Sequence, residues 1–493
     1  MLSKNKVMNT PFYYGWVVVA VAGLSVFFSG PGQTFAISTF IDYYIEEFDY
    51  SRSYVSGLYS GATLLAGFLL FIIGRLTDRF GQRIMMTAIG TALALATFWN
   101  AAIVGPVMMF FGFFMLRIFG QGSMTLLPNT LVPQWFLEKR GRALSVMAIG
   151  GFAGAAFIPP LNYFMIEQLG WRAAWSVWGI ALLVLFVPFA IMLVRNQPSE
   201  IDEIIDGRRR GKVSQKQVSR FPLFTAVSIV ALIGLTIIPP IDRQLTELFS
   251  WMPPTYIRIL LTTAAILVVF WIVKRTPKKS AEFDHTEEED NPVDNEVNWT
   301  LKEAMRTKAF WVILGCISIP ALTNTGITFH IFSIMEGKSL SPEIASFVLS
   351  LMAIIGFPVT FVSGYLVDKY KVHYILSATF AIHILAILWL WYTQTATGAI
   401  IYGVLWGVAH GFERITLNII WPNYFGRRHL GSIKSIAQSV MVVGSALGPL
   451  PYGLFYDVMG GYSEVLLLTP LLPLIAGILV LTSPPPKYED YHS

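Results

Sequence analysis

Three groups of polar side chains interrupt long apolar stretches of the chain, and each has the composition to bind an ion or handle a proton. Arg117, Gln121, Thr125 and Asn129 recur at every fourth position, which puts them in one stripe along a helix. His410, Glu413 and Arg414 stand at i, i+3 and i+4, so on a helix His410 neighbours both of the others. Thr323, Asn324, Thr328 and His330 form a looser group. A guanidinium stays charged and binds anions. A carboxyl group in dry surroundings holds a proton more tightly, and histidine titrates near neutral pH. The competing reading is structural: Arg117 and Glu413–Arg414 would be pairs that hold packed helices in register, and His383 a packing histidine. A charge at mid-bilayer costs from about 3 to over 10 kcal/mol, which makes these residues functional candidates by default.

The surroundings of these groups are those of a bilayer protein. The 493 residues are 54% hydrophobic and 13% charged, against roughly 25% charged in soluble domains, and the mean hydropathy is +0.59. The single cysteine, Cys316, excludes an internal disulfide and a thiolate metal site. The net charge of +5 is explained by membrane topology and points to no nucleic-acid partner.

Apolar runs predict fourteen membrane helices, at 14–41, 53–76, 84–104, 107–133, 142–165, 172–195, 222–240, 256–273, 309–334, 344–367, 374–393, 398–424, 432–456 and 463–483. The run behind the short N-terminal segment is too long for a signal peptide and reads as the first membrane helix. With both termini cytoplasmic, 28 of the 35 Lys and Arg residues fall on the cytoplasmic side, five fall outside, and Arg117 and Arg414 lie within spans. Two stretches break the pattern: a basic one around Arg208, Arg209 and Arg210, and an acidic one from Ser280 to Asn298. Both read as solvated linkers. Thr300-Leu-Lys-Glu303 has the form of a capping box and predicts an amphipathic cytoplasmic helix before the next span.

The chain repeats itself at an offset near 290 residues. Gly74-Arg-Leu-Thr-Asp78-Arg79-Phe80 returns as Gly364-Tyr-Leu-Val-Asp368-Lys-Tyr370, Gly32-Gln-Thr34-Phe35 as Gly326-Ile-Thr328-Phe329, and Pro133-Gln-Trp-Phe136 as Pro422-Asn-Tyr-Phe425. In order and at closely similar offsets, these matches mean two homologous six-helix halves. The N-terminal half covers 14–195 and the C-terminal half 308–483. Between them lies a central insert, 196–307, with the basic loop, the two extra helices at 222–240 and 256–273, and the acidic linker. Two parallel halves around a midplane site are a transporter plan.

Gly74, Asp78, Arg79, Gly81 and Arg83 resemble the signature between the second and third helices of the major facilitator superfamily. Leu116-Arg117-Ile-Phe-Gly-Gln121-Gly122 resembles that family's fourth-helix motif. Tyr14-Gly-Trp-Val-Val, Trp135 to Ala143, and Gly448-Pro449 with Gly453, Asp457 and Gly461-Tyr462 are similar to its monocarboxylate and oxalate:formate antiporter branch. The resemblance implies an all-α fold whose first, fourth, seventh and tenth core helices line a central cavity. It also implies that the Gly74–Arg83 loop, with Gly364 and Asp368 in the second half, latches the cytoplasmic side. Carboxylate carriers of that branch place a cation deep in the eighth or eleventh core helix. Here the eighth has none before Asp368, and the eleventh has only Lys434 near its end.

The expected function is gradient-driven transport of a small solute, an organic anion among the options, across the cell membrane by alternating access. Protons or a counter-transported solute would be the coupling partner, the lipid bilayer the setting, and a monomer the expected state. Arg117, Gln121, Thr125, Asn324, His330, His410, Glu413 and Arg414 are the substrate or coupling candidates. Gly30-Pro31-Gly32 and Gly448-Pro449 are candidate helix breaks or hinges. No GxxxxGK[ST], HExxH or GxSxG stretch occurs, so ATP hydrolysis and the common hydrolytic chemistries lack their residues, and no cofactor or metal is expected. The alternative is a transporter-like sensor whose central insert recruits a partner.

Overall fold

An apolar segment in hydrocarbon must satisfy its backbone hydrogen bonds within itself, and every element found here is helical. The computed structural model describes residues 12–136, 139–201, 203, 299–426 and 430–486. The predicted helices at 222–240 and 256–273, the basic loop and the acidic linker lie outside the described residues.

The first half comprises α1 (Gly15–Gly32), α2 (Arg52–Phe80), α3 (Gln82–Ala101), α4 (Pro106–Trp135), α5 (Arg140–Leu169) and α6 (Trp171–Leu193). The second comprises α7 (Lys308–Glu336), α8 (Pro342–Lys369), α9 (Val372–Tyr392), α10 (Ala396–Phe425), α11 (Leu430–Leu447, then Pro449–Met459) and α12 (Ser463–Leu481). Eleven of these twelve are long and apolar enough to cross a membrane. The other, α10, spans 30 residues but is less apolar, because His410, Glu413 and Arg414 sit inside it.

Both predicted breaks are present. The first crossing stops at Phe28, turns tightly through Gly30–Gly32 and resumes as short helical segments to Phe48, well past the expected end at 41. Pro449 has no N–H to continue a helix, and α11 divides at Gly448. The capping box is also present: the Thr300 N–H donates to the Glu303 carboxylate at 2.8 Å, and the Glu303 N–H to Thr300 Oγ1 at 3.3 Å. The helix it starts is a single turn, Leu301–Ala304, rather than the longer amphipathic helix expected. It ends there because Thr307 caps a new helix, its Oγ1 accepting the Phe310 N–H at 3.2 Å.

The halves are built alike. α1 packs on α5, α3 on α6 and α2 on α4; in the second half α7 packs on α11, α9 on α12 and α8 on α10, the equivalent pairs. Trp135 at the end of α4 donates Nε1–H to the Arg195 carbonyl at 3.2 Å, and its repeat equivalent Tyr424 donates its hydroxyl to the Ser483 carbonyl at 2.9 Å. The halves meet through α2 against α11 and α5 against α8. Those two contacts are themselves exchanged by the repeat, as a two-fold relation between halves requires.

Small residues set how close the helices come. A side chain at Gly32 would overlap the Leu116 carbonyl of α4, and one at Gly448 would overlap the Leu322 carbonyl of α7. Gly448 is therefore a backbone-to-backbone contact as well as a break.

Hydrogen bonds between the halves gather at the end of the molecule that holds Asp42 and Asp457. The Ser53 N–H donates to the Asp457 carboxylate at 2.9 Å, Tyr163 donates its hydroxyl to Glu343 at 2.6 Å, and Ser56 Oγ lies 3.3 Å from His330 Nε2. Arg52 pairs with Asp42 and lies over the Tyr456 ring of the other half, 4.6 Å from its centroid. These three hydrogen bonds between the halves all lie at this one end.

Two outcomes follow. Gly448→Leu forces α7 and α11 apart and should cost about 1–3 kcal/mol, read as a lower melting temperature of the purified protein; an unchanged melting temperature would show that the contact yields freely. Asp457→Ala combined with Glu343→Ala should raise several-fold the rate at which a cysteine introduced as Ser56→Cys is labelled by a membrane-impermeant maleimide. An unchanged rate would mean that these bonds do not hold that end shut.

Candidate functional site

The break after Pro31 creates the first half of the site. Turning the chain there leaves the Gly32 carbonyl without a helical partner, and the Arg117 guanidinium takes it, Nη1 donating at 3.2 Å. The same nitrogen reaches Thr34 Oγ1 at 3.4 Å, Thr34 in turn lies 2.9 Å from the Tyr59 hydroxyl, and the guanidinium sits 5.1 Å from the Tyr59 ring centroid. Gly32 and Gly120 let α1 and α4 approach backbone to backbone, beside a wide π-helical stretch of α4 from Leu116 to Ser123. Such insertions re-aim side chains and recur at functional sites.

Arg117 is 3% exposed. Its Nε has no hydrogen-bond partner, and it forms no ion pair among the described residues. From it the stripe runs toward the Gly74 end with growing exposure: Gln121 and Thr125 are half-buried, Asn129 exposed. The stripe thus runs from a buried guanidinium to an exposed amide.

The second half repeats this wall. At the 289-residue offset set by Pro133 and Pro422, Arg117, Gln121, Thr125 and Asn129 correspond to Trp406, His410, Arg414 and Asn418. Exposure again grows along the row, with Trp406 buried, His410 half-buried, and Arg414 and Asn418 exposed. Asn129 and Asn418 even make the same bond, each donating Nδ2–H to the carbonyl four residues earlier, at 2.8 and 2.7 Å. At the deep end Trp406 donates Nε1–H to Asn324 Oδ1 of α7 at 3.3 Å, where Arg117 bonds to the α1 segment. The Arg414 guanidinium lies 4.5 Å from the Phe152 ring centroid of the other half, so it sits where the halves meet. Its permanent charge stands about 12 Å along the helix from the Arg117 level, eight residues at 1.5 Å each.

Glu413 does not pair with either neighbour on its own helix. Its Oε2 lies 3.5 Å from His383 Nε2 of α9, a histidine read from sequence as packing. A lone histidine in an apolar run carried no signal; only the helix crossing brings it to the carboxyl group. His383 also meets the Trp406 ring edge-on, with centroids 5.2 Å apart, and its ring centroid lies 6.5 Å from that of His410.

His330 stands apart from the stripes. It is buried in the tied end, with Nε2 3.0 Å from the Pro449 carbonyl and Nδ1 3.1 Å from the Tyr462 hydroxyl, stacked near Tyr452. Thr328 stays with Asn324, to which it donates at 3.2 Å. Of the loop motif, Gly81 takes φ +83°, a conformation suited to glycine, and Asn196 accepts the Arg83 N–H at 3.0 Å beside it. Arg83 also donates Nε–H to the Ile191 carbonyl at 2.8 Å. The Arg79 guanidinium lies over the Phe80 ring, while the side chains of Asp78 and Asp368 lie outside the described residues. The start of the central segment is tied in too, since Glu203 accepts the Tyr14 N–H at 3.2 Å. Burial raises the Glu203 pKa, and that N–H draws it back. Among the described residues no three His, Cys, Asp or Glu side chains are grouped to hold a metal ion.

Comparison with known proteins fits this architecture. The family model of the Major Facilitator Superfamily matches residues 22–233 and 222–449. The probable L-galactonate transporter of Escherichia coli is 28% identical over 158 residues, 31% of this chain and 33% of that protein. The riboflavin transporter RibJ of Trypanosoma brucei brucei is 26% identical over 156 residues, 31% of this chain and 27% of that protein. The matches to these curated relatives span about a third of either chain or less. Among solved structures, the inward-facing and unoccupied bacterial homologue of the human lysosomal transporter Spinster aligns with a TM-score of 0.62 at 13% identity, over 96% of this chain and 98% of that one. A mutant of the nucleoside transporter NupG aligns with a TM-score of 0.62 at 11% identity, over 94% and 99%. These structures share the fold, and the sequence match extends through both halves: this chain is a multi-pass membrane protein belonging to the Major Facilitator Superfamily, whose transporters move small molecules across membranes.

Proposed function

We propose that this protein is a secondary carrier that moves a small organic anion across the cell membrane by alternating access, with the anion bound at Arg117. One observation carries the reading: a guanidinium buried at the head of a polar stripe with no carboxylate partner among the described residues. A buried charge without a counter-charge is costly. A carboxylate or similar anion entering along Gln121 and Thr125 would supply that counter-charge and could bond the free Nε–H. Galactonate, named for one relative, is such an anion.

The remaining features fit a carrier. The hydrogen bonds between halves at the Asp42–Asp457 end, the outer end by the Lys and Arg distribution, suit a carrier whose crevice opens to the cytoplasm, with both termini on that side. Movement about the α2–α11 and α5–α8 contacts, as a monomer, would close that end and open the other. Tying at Ser53–Asp457, Tyr163–Glu343 and Ser56–His330 gives His330 a gating rather than a substrate role. A proton gradient is the driving force that Glu413 and His410 suit. We place the two additional helices, 222–240 and 256–273, between the halves as a paired crossing that leaves the second half's orientation unchanged. The sensor alternative draws no support from the relatives, which are named as transporters and pumps.

The test is ligand stabilisation of the purified full chain across sugar acids, mono- and dicarboxylates, neutral sugars and organic cations. An anion should raise the melting temperature of the wild type. Arg117→Gln should weaken that anion at least tenfold, about 1.4 kcal/mol. Stabilisation by neutral solutes alone, or unchanged anion affinity in the variant, would discard the anion site.

A further inference from the structure

His383 has two ring nitrogens, and the structure fixes what each must do. Nδ1 lies 3.1 Å from the Thr379 carbonyl. A carbonyl oxygen only accepts, so Nδ1 carries the hydrogen and, in the neutral ring, Nε2 is a bare lone pair. That lone pair faces Glu413 Oε2 at 3.5 Å. Neither atom has another hydrogen-bond partner, and both are shut off from solvent. If the carboxyl group were ionised, two acceptors would confront each other in a dry place, with no donor between them. Burying two unsatisfied acceptors is costly even before their mutual repulsion.

We infer that Glu413 and His383 together form a one-proton site, in which Glu413 is a neutral carboxylic acid whose Oε2–H donates to His383 Nε2. The neutral pair avoids placing two full charges beside the apolar core of α9 and α10. The groups that act on Glu413 are His383 from α9, and His410 and Arg414 from its own helix. His410 is half-buried and Arg414 exposed. The Glu413 side chain is 16% exposed and that of His383 2%. Glu413 is therefore the port through which the proton comes and goes, and His383 the positioning residue that makes the acid form the comfortable one. Loading takes one proton from water at the exposed part of the Glu413 side chain onto the carboxyl group, which presents it to His383 Nε2; unloading returns it to water and leaves a carboxylate beside the permanent charge of Arg414. Use of this proton to drive transport rests on the carrier reading above; its presence at the pair does not.

Infrared pH-difference spectra of the purified full chain in lipid nanodiscs test the site without any substrate. The wild type should show a carbonyl stretching band of a protonated carboxyl group that disappears as pH rises, and Glu413→Gln should lose that band. In Glu413→Gln the amide N–H can donate to Nε2 in place of the proton, so the variant should fold with wild-type stability. His383→Gln puts an amide donor against the carboxylate and should move the band's midpoint down by about one pH unit or more; His383→Asn, which removes the acceptor, serves if the first variant does not fold. Absence of the band in the wild type, its survival in Glu413→Gln, or an unmoved midpoint in the His383 variant would each overturn the shared-proton site. Arg117→Gln should leave the band as it is. Loss of anion binding with the band intact thus separates failure of one proposal from failure of the other.

Discussion

Hydrocarbon offers nothing to a hydrogen-bonding group, and this molecule is arranged around that fact. Each crossing closes its own backbone bonds, and each place where a crossing breaks must be repaired by a neighbour. The Gly32 carbonyl, left free where the chain turns extended at Gln33, is taken by Arg117. Glycines at 32, 120 and 448 bring backbones close enough for such repairs and close enough to shut out lipid. What stands out at the site is a buried charge that no carboxylate answers among the described residues.

Much of this was legible in the sequence because it rests on periodicity. Twelve of the predicted crossings, the i, i+4 stripe of α4, the breaks at Gly30–Gly32 and Gly448–Pro449, and the Thr300–Glu303 box all depend on near neighbours in the chain. The repeat extended that legibility to topology, since two copies of one six-helix unit have few ways to pair. Illegible were the contacts that depend on how helices cross. His383 looked like an isolated ring, and His330 like a member of the α7 polar group. The first is an α9–α10 contact and the second an inter-half tie, and neither spacing exists in one dimension.

The repeat also contained more than its matching letters. Aligning the halves at Pro133 and Pro422 sets Arg117 against Trp406 and Thr125 against Arg414, pairs of unlike chemistry that a search for identity passes over. What the halves share is the row of positions, each running from buried to exposed. What they do not share is where along the row the charge was placed.

That displacement has a consequence for the field between the halves. A half-turn about the axis between the halves maps helix onto helix but does not map charge onto charge. The deep cation belongs to the first half and the shallow one, with its acid–imidazole pair, to the second. Two nearly identical scaffolds therefore present unlike charge at each depth, and an ion lying between them is drawn to one side rather than held on the axis.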